Sequence, residues 1–153
     1  MEQEKEERYI NHICDHAVSL SEKITTNCNN LTEAINIGSF EPETMINVLT
    51  FVLDYLSDVY YLKRTFNRFC EATDTPASDV VGDTQIGVAI GQIDSFIYQI
   101  EDFIKTIDDS LINLRIMNKL THNEFGAARK LITNIKELHG KHRELNWYGN
   151  ERV

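Results

Sequence analysis

The histidines offer the first candidate chemistry, because four of the five form two pairs at helical spacing. His12 and His16 are four residues apart and His139 and His142 are three apart, so each pair shares one face of a helix. If the first and last helices run antiparallel, the two pairs meet at one end of the fold, where four imidazoles would suit zinc or another borderline metal. The alternative is that these are ordinary surface or hydrogen-bonded histidines, since the Glu-x-x-His repeats of di-iron bundles are absent.

A second candidate site lies around Arg115 and His122, which stand in the segment Leu-Arg-Ile-Met-Asn-Lys-Leu-Thr-His. An arginine followed after a few residues by a histidine in an all-helical chain resembles the HEPN superfamily, many members of which are dimeric, metal-independent ribonucleases. The resemblance implies that Arg115 stabilises the cleaved phosphate and that His122 acts as general acid or base. It departs from the family pattern at Ile116, where a polar residue is common. The alternative places Arg115 in the last turn of one helix, where it favours the helix dipole, and His122 at the start of the next.

Aromatic residues give a third candidate, a surface that binds another protein. Tyr60 and Tyr61 are adjacent on the second helix and cannot both face its core, so one of them is exposed or contacts a partner. Trp147 and Tyr148 belong to a C-terminal tail that either folds back on the end of the bundle or contacts a partner. We therefore predict these four residues as partner-binding, with core packing as the alternative for the tyrosines.

The remaining sequence offers little catalytic machinery. Gly-rich phosphate loops, Walker-type lysines, serine nucleophile elbows and Cys-x-x-Cys zinc ligands are missing, and we expect no cofactor. Cys14, Cys28 and Cys70 are odd in number and lie on or beside the apolar faces of their helices, which indicates buried, reduced thiols.

The net charge of −9 is spread unevenly along the chain. Residues 119–153 carry seven basic and four acidic residues, a net charge of +3, which leaves −12 for the first 118 residues. Nucleic acid is therefore not an expected partner, except locally at the basic fourth helix. A simpler interpretation is that this helix packs beside acidic neighbours.

The helices themselves are predicted by hydrophobic spacing. One series recurs in steps of three and four residues, which places an apolar seam on one side of a long helix: Ile86, Ile90, Ile93, Ile97, Ile100, Ile104, Ile107, Leu111 and Leu114. Gly38 is expected to end the first helix, and Thr121 with Glu124 forms a capping box before the fourth. Gly87 and Gly91 are expected to mark a close approach of two helix backbones. We predict an all-α, up-down-up-down four-helix bundle with long helices at about 4–37, 42–72, 84–119 and 122–145, in one domain spanning residues 1–153.

These observations favour a non-catalytic, cytoplasmic helical-bundle protein that binds another protein or a second copy of itself and does not enter a membrane. An adaptor, a small subunit of an assembly, an inhibitor and an immunity protein all fit. The alternatives are a HEPN-like ribonuclease that uses Arg115 and His122, and a metal-binding bundle.

Overall fold

Four long α-helices make up the regular structure of the part of the chain that the computed structural model describes, residues 2–72, 84–145 and 147. Helix α1 spans Glu2–Ile37, α2 spans Pro42–Ala72, α3 spans Thr84–Ile116 and α4 spans His122–Glu144. The predicted all-α four-helix bundle is therefore confirmed. No helix among these residues is both long enough and apolar enough to cross a bilayer.

The helices alternate in direction, but their order around the bundle is not the order of the chain. Residues 18–25 of α1 line one cavity with residues 88–99 of α3, and residues 25–32 line the next with residues 96–106, so α1 and α3 are parallel neighbours. The other packed pairs are α1 with α2, α2 with α4, and α3 with α4. Helix α1 therefore lies diagonally opposite α4, and α2 lies opposite α3. The connections 38–41 and 117–121 join neighbours and are short, whereas the longer connection 73–83 joins the diagonal pair.

The core forms where the four apolar stripes meet. All nine residues of the predicted α3 seam are buried, and Ile93, Ile107 and Leu111 are fully so. Burying a side chain of this size is worth about 1.5–3 kcal/mol. The spacing of three and four residues keeps each of these side chains on the side of α3 that faces its neighbours, which explains why the sequence pattern alone locates the core.

Two helix ends use the same left-handed turn. At the end of α1, Gly38 has a φ of 76°, and the N–H of Ser39 donates to the carbonyl of Ala34. At the end of α3, Asn118 has a φ of 58° and the N–H of Lys119 donates to the carbonyl of Leu114. Both arrangements satisfy carbonyls that a helix end leaves unpaired. The predicted end of α3 near Lys119 was wrong, because Asn takes here the left-handed position that glycine takes at residue 38.

The helix start at Thr121 follows the prediction. The Thr121 hydroxyl accepts a hydrogen bond from the N–H of Glu124, and the Glu124 carboxylate accepts one from the N–H of Thr121.

The expectation that Gly91 marks a close approach of two helix backbones was wrong. This residue is exposed, and a Cβ added to it would meet nothing within 4 Å, so no helix backbone approaches it closely.

Candidate functional site

The two histidine pairs lie in different environments. His12 and His16 are exposed on α1, whereas His139 and His142 are buried on α4. The expected meeting of all four is wrong, because α1 and α4 occupy opposite corners of the bundle and the α1 pair faces outward. Among the described residues, no group of three or more histidine, cysteine, aspartate or glutamate side chains is arranged to hold a metal ion.

His139 and His142 instead connect α4 to the two helices beside it. The Nε2–H of His139 donates to the carbonyl oxygen of Ile97 in α3 at 2.9 Å. The Nε2–H of His142 donates to the carbonyl oxygen of Leu56 in α2 at 2.7 Å. A carbonyl oxygen has two lone pairs, so each can accept this bond in addition to its helical one. These contacts fix the position of α4 along both of its neighbours.

His142 is held in its neutral form. Burial lowers the pKa of its imidazole to about 4, the hydrogen bond with Leu56 raises it in part, and the charge of Lys63 lowers it further. Because Nε2 carries the proton, Nδ1 is an acceptor, and this buried atom has no hydrogen-bond partner. The edge of the ring packs against Tyr60 at a centroid distance of 5.6 Å. Tyr60 is therefore half-buried against α4, while Tyr61 is the exposed member of the tyrosine pair.

Arg115 and His122 lie at the connection between α3 and α4. The Arg115 guanidinium is partly buried and donates to the carbonyl oxygen of Leu120 at 3.4 Å, which supports the turn after α3. His122 is exposed in the first turn of α4. The ribonuclease role of this pair stays a prediction.

Trp147 belongs to the core. Its side chain is 2% exposed, its ring meets that of Phe66 edge-on at 5.7 Å, and its indole N–H donates to Asp94 at 2.8 Å. The expectation that Trp147 offers itself to a partner was wrong. The alternative, that it folds back on the bundle, is correct, since the indole gains both apolar burial and a carboxylate acceptor there. Tyr148 lies outside the described residues.

Lys63 is a buried residue that was not predicted from the sequence. It is 4% exposed, its ammonium group donates to the carbonyl oxygen of Leu145 at 3.3 Å, and it lies 5.7 Å from the centre of the Trp147 ring. Burial lowers its pKa, and the nearby charge of Asp94 raises it in part. The burial of Lys63 could have been predicted from its position in the sequence, because Lys63 falls in helical phase with the buried residues Leu56, Val59 and Phe66.

Two basic side chains of α4 form ion pairs with acidic side chains of α3. Arg143 forms an ion pair with Glu101 at 2.6 Å, and Lys136 forms another with Asp108. All four side chains remain substantially exposed, so each pair is worth about 1 kcal/mol or less. Their arrangement agrees with the interpretation of α4 as a basic helix beside an acidic neighbour.

A groove between α1 and α2 has a volume of about 700 Å³. We call it the α1–α2 groove. Its floor contains the buried residues Ala17, Tyr55 and Val59, and the Tyr55 hydroxyl donates to the carbonyl oxygen of Ala17 at 3.0 Å. Burial raises the pKa of the Tyr55 phenol, so this group remains a neutral donor. Its walls carry further side chains: Tyr9, Ile13, His16, Leu20, Ser57, Asp58, Tyr61, Leu62 and Thr65.

The rim of the groove exposes aromatic surface. Tyr9 is 60% exposed and Tyr61 is 65% exposed, and they stand on opposite walls. Tyr61 was predicted from the sequence as exposed or partner-binding, whereas Tyr9 was not predicted. Tyr9 falls in phase with Ile13, His16 and Leu20 on one side of α1.

Two ionisable side chains besides the tyrosines line the groove, His16 on the α1 wall and Asp58 on the α2 wall, and both are exposed. Comparisons of this chain with models of known families, with curated proteins and with solved structures find no match.

Proposed function

We propose that this protein is a non-catalytic binding module whose α1–α2 groove receives an apolar segment of a protein. The observation that carries the proposal is the combination of an apolar floor with two tyrosines that stand more than half exposed on its walls. Tyrosine is enriched in protein interfaces because its ring supplies contact area while its hydroxyl tolerates water.

The shape of the groove supports a protein ligand. Its α1 wall runs from Tyr9 to Leu20, a length of about 16 Å at the rise of an α-helix, or three helical turns. Two antiparallel helices with apolar residues at spacings of three and four offer the kind of channel in which a third helix docks. His16 on the α1 wall and Asp58 on the α2 wall would then offer polar contacts that set the orientation of the bound segment.

Site-specific photo-crosslinking tests the proposal. The photoreactive amino acid p-benzoylphenylalanine replaces Tyr61 in the groove and, as a matched control, Tyr98, which is 77% exposed on α3. We expect the probe at position 61 to capture a defined protein in the source cells, and the probe at 98 not to capture it.

The captured protein is then purified and its affinity for the chain is measured. Tyr61→Ala should weaken binding about tenfold or more, as truncation of an aromatic anchor does, and Tyr98→Ala should leave it unchanged. Equal capture at both positions, or equal affinity of the two variants, would refute the assignment of the groove.

A further inference from the structure

We propose that the cavity between α3 and α4 is a binding site for a small ligand that carries a phosphate group. The cavity has a volume of about 310 Å³, which is within the range of small-molecule sites. Its lining combines charged side chains with a buried histidine and a glycine: Glu101, Ile104, Lys105, Asp108, Lys136, His139, Gly140 and Arg143. The α1–α2 groove lies on the other two helices, so this site is independent of the proposed function.

Two ion pairs between α3 and α4 define the ends of the cavity. Arg143 pairs with Glu101 at 2.6 Å, and Lys136 pairs with Asp108. The two pairs are seven residues apart on each helix, which is two turns, or about 10 Å along the helix axis. Because all four side chains line the cavity, the ion pairs hold a guanidinium group at one end and an ammonium group at the other.

The middle of the cavity is formed by residues that lie halfway between the two ion pairs. On α3 this residue is Lys105, which is exposed. On α4 they are His139, which is buried and donates from Nε2 to the carbonyl oxygen of Ile97, and Gly140, which has no side chain. A Cβ at position 140 would meet nothing within 4 Å. The cavity therefore has an open middle beside an imidazole that is held in place.

The donors of the lining favour an anionic ligand. Its cationic side chains outnumber its carboxylates by three to two. In the described part of the chain, the Lys105 ammonium group forms neither an ion pair nor a hydrogen bond, so no carboxylate neutralises it. The Arg143 guanidinium has five N–H donors and the Lys136 ammonium has three, and each uses one in its ion pair. The lining therefore offers more donors than its own carboxylates engage.

A phosphate group uses these donors better than a carboxylate does. It carries up to two negative charges and accepts through three or more oxygen atoms, whereas a carboxylate has one charge and two oxygen atoms. Arginine and lysine are also the side chains that proteins use to bind phosphate. Salt screens the net charge of −9 of the chain beyond about 8 Å, so the charges of the lining dominate at the distance of a bound ligand.

Titration of the isotope-labelled full chain with inorganic phosphate at pH 7, followed by amide NMR spectra, tests the proposal. Sodium chloride keeps the ionic strength constant, so general screening does not change during the titration. We expect the amide signals of Lys105, His139 and Gly140 to shift and to saturate, with a Kd of about 1 mM or lower. Acetate should bind about tenfold more weakly. Shifts that grow linearly with phosphate, or equal affinities for phosphate and acetate, would overturn the proposal.

Two substitutions with matched controls locate the site. Lys105→Gln removes the unpaired charge and should weaken phosphate binding about tenfold, whereas Lys130→Gln, at an exposed position of α4 outside the cavity, should not weaken it. Gly140→Leu fills the open middle and should abolish saturable binding. Gly126→Leu, also exposed on α4 with open space around it, should leave binding unchanged.

Circular dichroism should show the helix content of the wild type in all four variants, since every substituted position is exposed. Wild-type affinity in Lys105→Gln, or saturable binding in Gly140→Leu, would show that phosphate does not bind between α3 and α4.

Discussion

The imidazole of His142 donates a hydrogen bond of 2.7 Å to the carbonyl oxygen of Leu56, so a side chain of α4 binds the backbone in the middle of α2. Two other cross-helix bonds have the same form, from His139 to Ile97 and from Tyr55 to Ala17. Together they connect each helix to at least one neighbour. Hydrophobic burial is non-directional, whereas a buried donor must find its acceptor, so these bonds add to core packing in favouring one register of the four helices.

The first prediction concerns the pH dependence of stability. The pKa of His142 is about 4 in the folded protein and about 6.5 in an unfolded chain. Between these values the unfolded state binds more protons than the folded state, so the free energy of unfolding falls as the pH falls. We expect His142 to remove about 2 kcal/mol of stability between pH 7 and pH 5.

The matched variant for this prediction is His142→Gln, which keeps a nitrogen donor at the position of Nε2 but does not titrate. Urea unfolding at pH 7 and pH 5 should show a smaller loss of stability in the variant than in the wild type. Equal losses in the two proteins would show that His142 is not buried as a neutral group.

The sequence was sufficient to predict the helices and their core. The α3 seam from Ile86 to Leu114 is periodic, and periodicity alone decides which side of a helix is apolar. It does not decide which helices become neighbours. The predicted metal cluster was wrong because it assumed that the first and last helices are neighbours. His139 and His142 face inward on α4, while His12 and His16 lie on α1, at the opposite corner of the bundle.

The candidate site was only partly predictable for a related reason. Tyr61 was found because two adjacent tyrosines cannot both face one core. Tyr9 was missed because an exposed residue beside an apolar stripe cannot be distinguished, by spacing alone, from one that lines a groove. Trp147 follows the last helix, where no periodicity applies, and its location depends on a tertiary pocket made by Phe66 and Asp94.

The second prediction concerns this C-terminal anchor. Trp147→Ala should destabilise the protein by about 3–5 kcal/mol, because it leaves a cavity beside Phe66. Trp147→Phe should cost less, since it keeps an aromatic ring and loses chiefly the hydrogen bond to Asp94. Urea unfolding measures both, with the exposed Tyr98→Ala as a control expected within about 0.5 kcal/mol of the wild type.

The emission of Trp147, the single tryptophan of the chain, provides an independent measurement. A buried indole emits at shorter wavelength than one in water, so unfolding should shift the emission to the red. A folded protein whose tryptophan emits as in water, together with a negligible cost for Trp147→Ala, would contradict the docking of this segment.

The third prediction contrasts two glycines that have different reasons to be glycine. Gly91 is exposed within α3, and a Cβ there would meet nothing within 4 Å. Gly91→Ala should therefore stabilise the protein by about 0.5–1 kcal/mol, because alanine is the better helix former.

Gly38 also has open space around it, but its φ of 76° is unfavourable for any residue with a Cβ. Gly38→Ala should destabilise the protein by about 1 kcal/mol, which is the cost of the left-handed conformation. Thermal and urea unfolding of both variants check the contrast, and a loss of stability in Gly91→Ala would show that another backbone approaches α3 at this position after all.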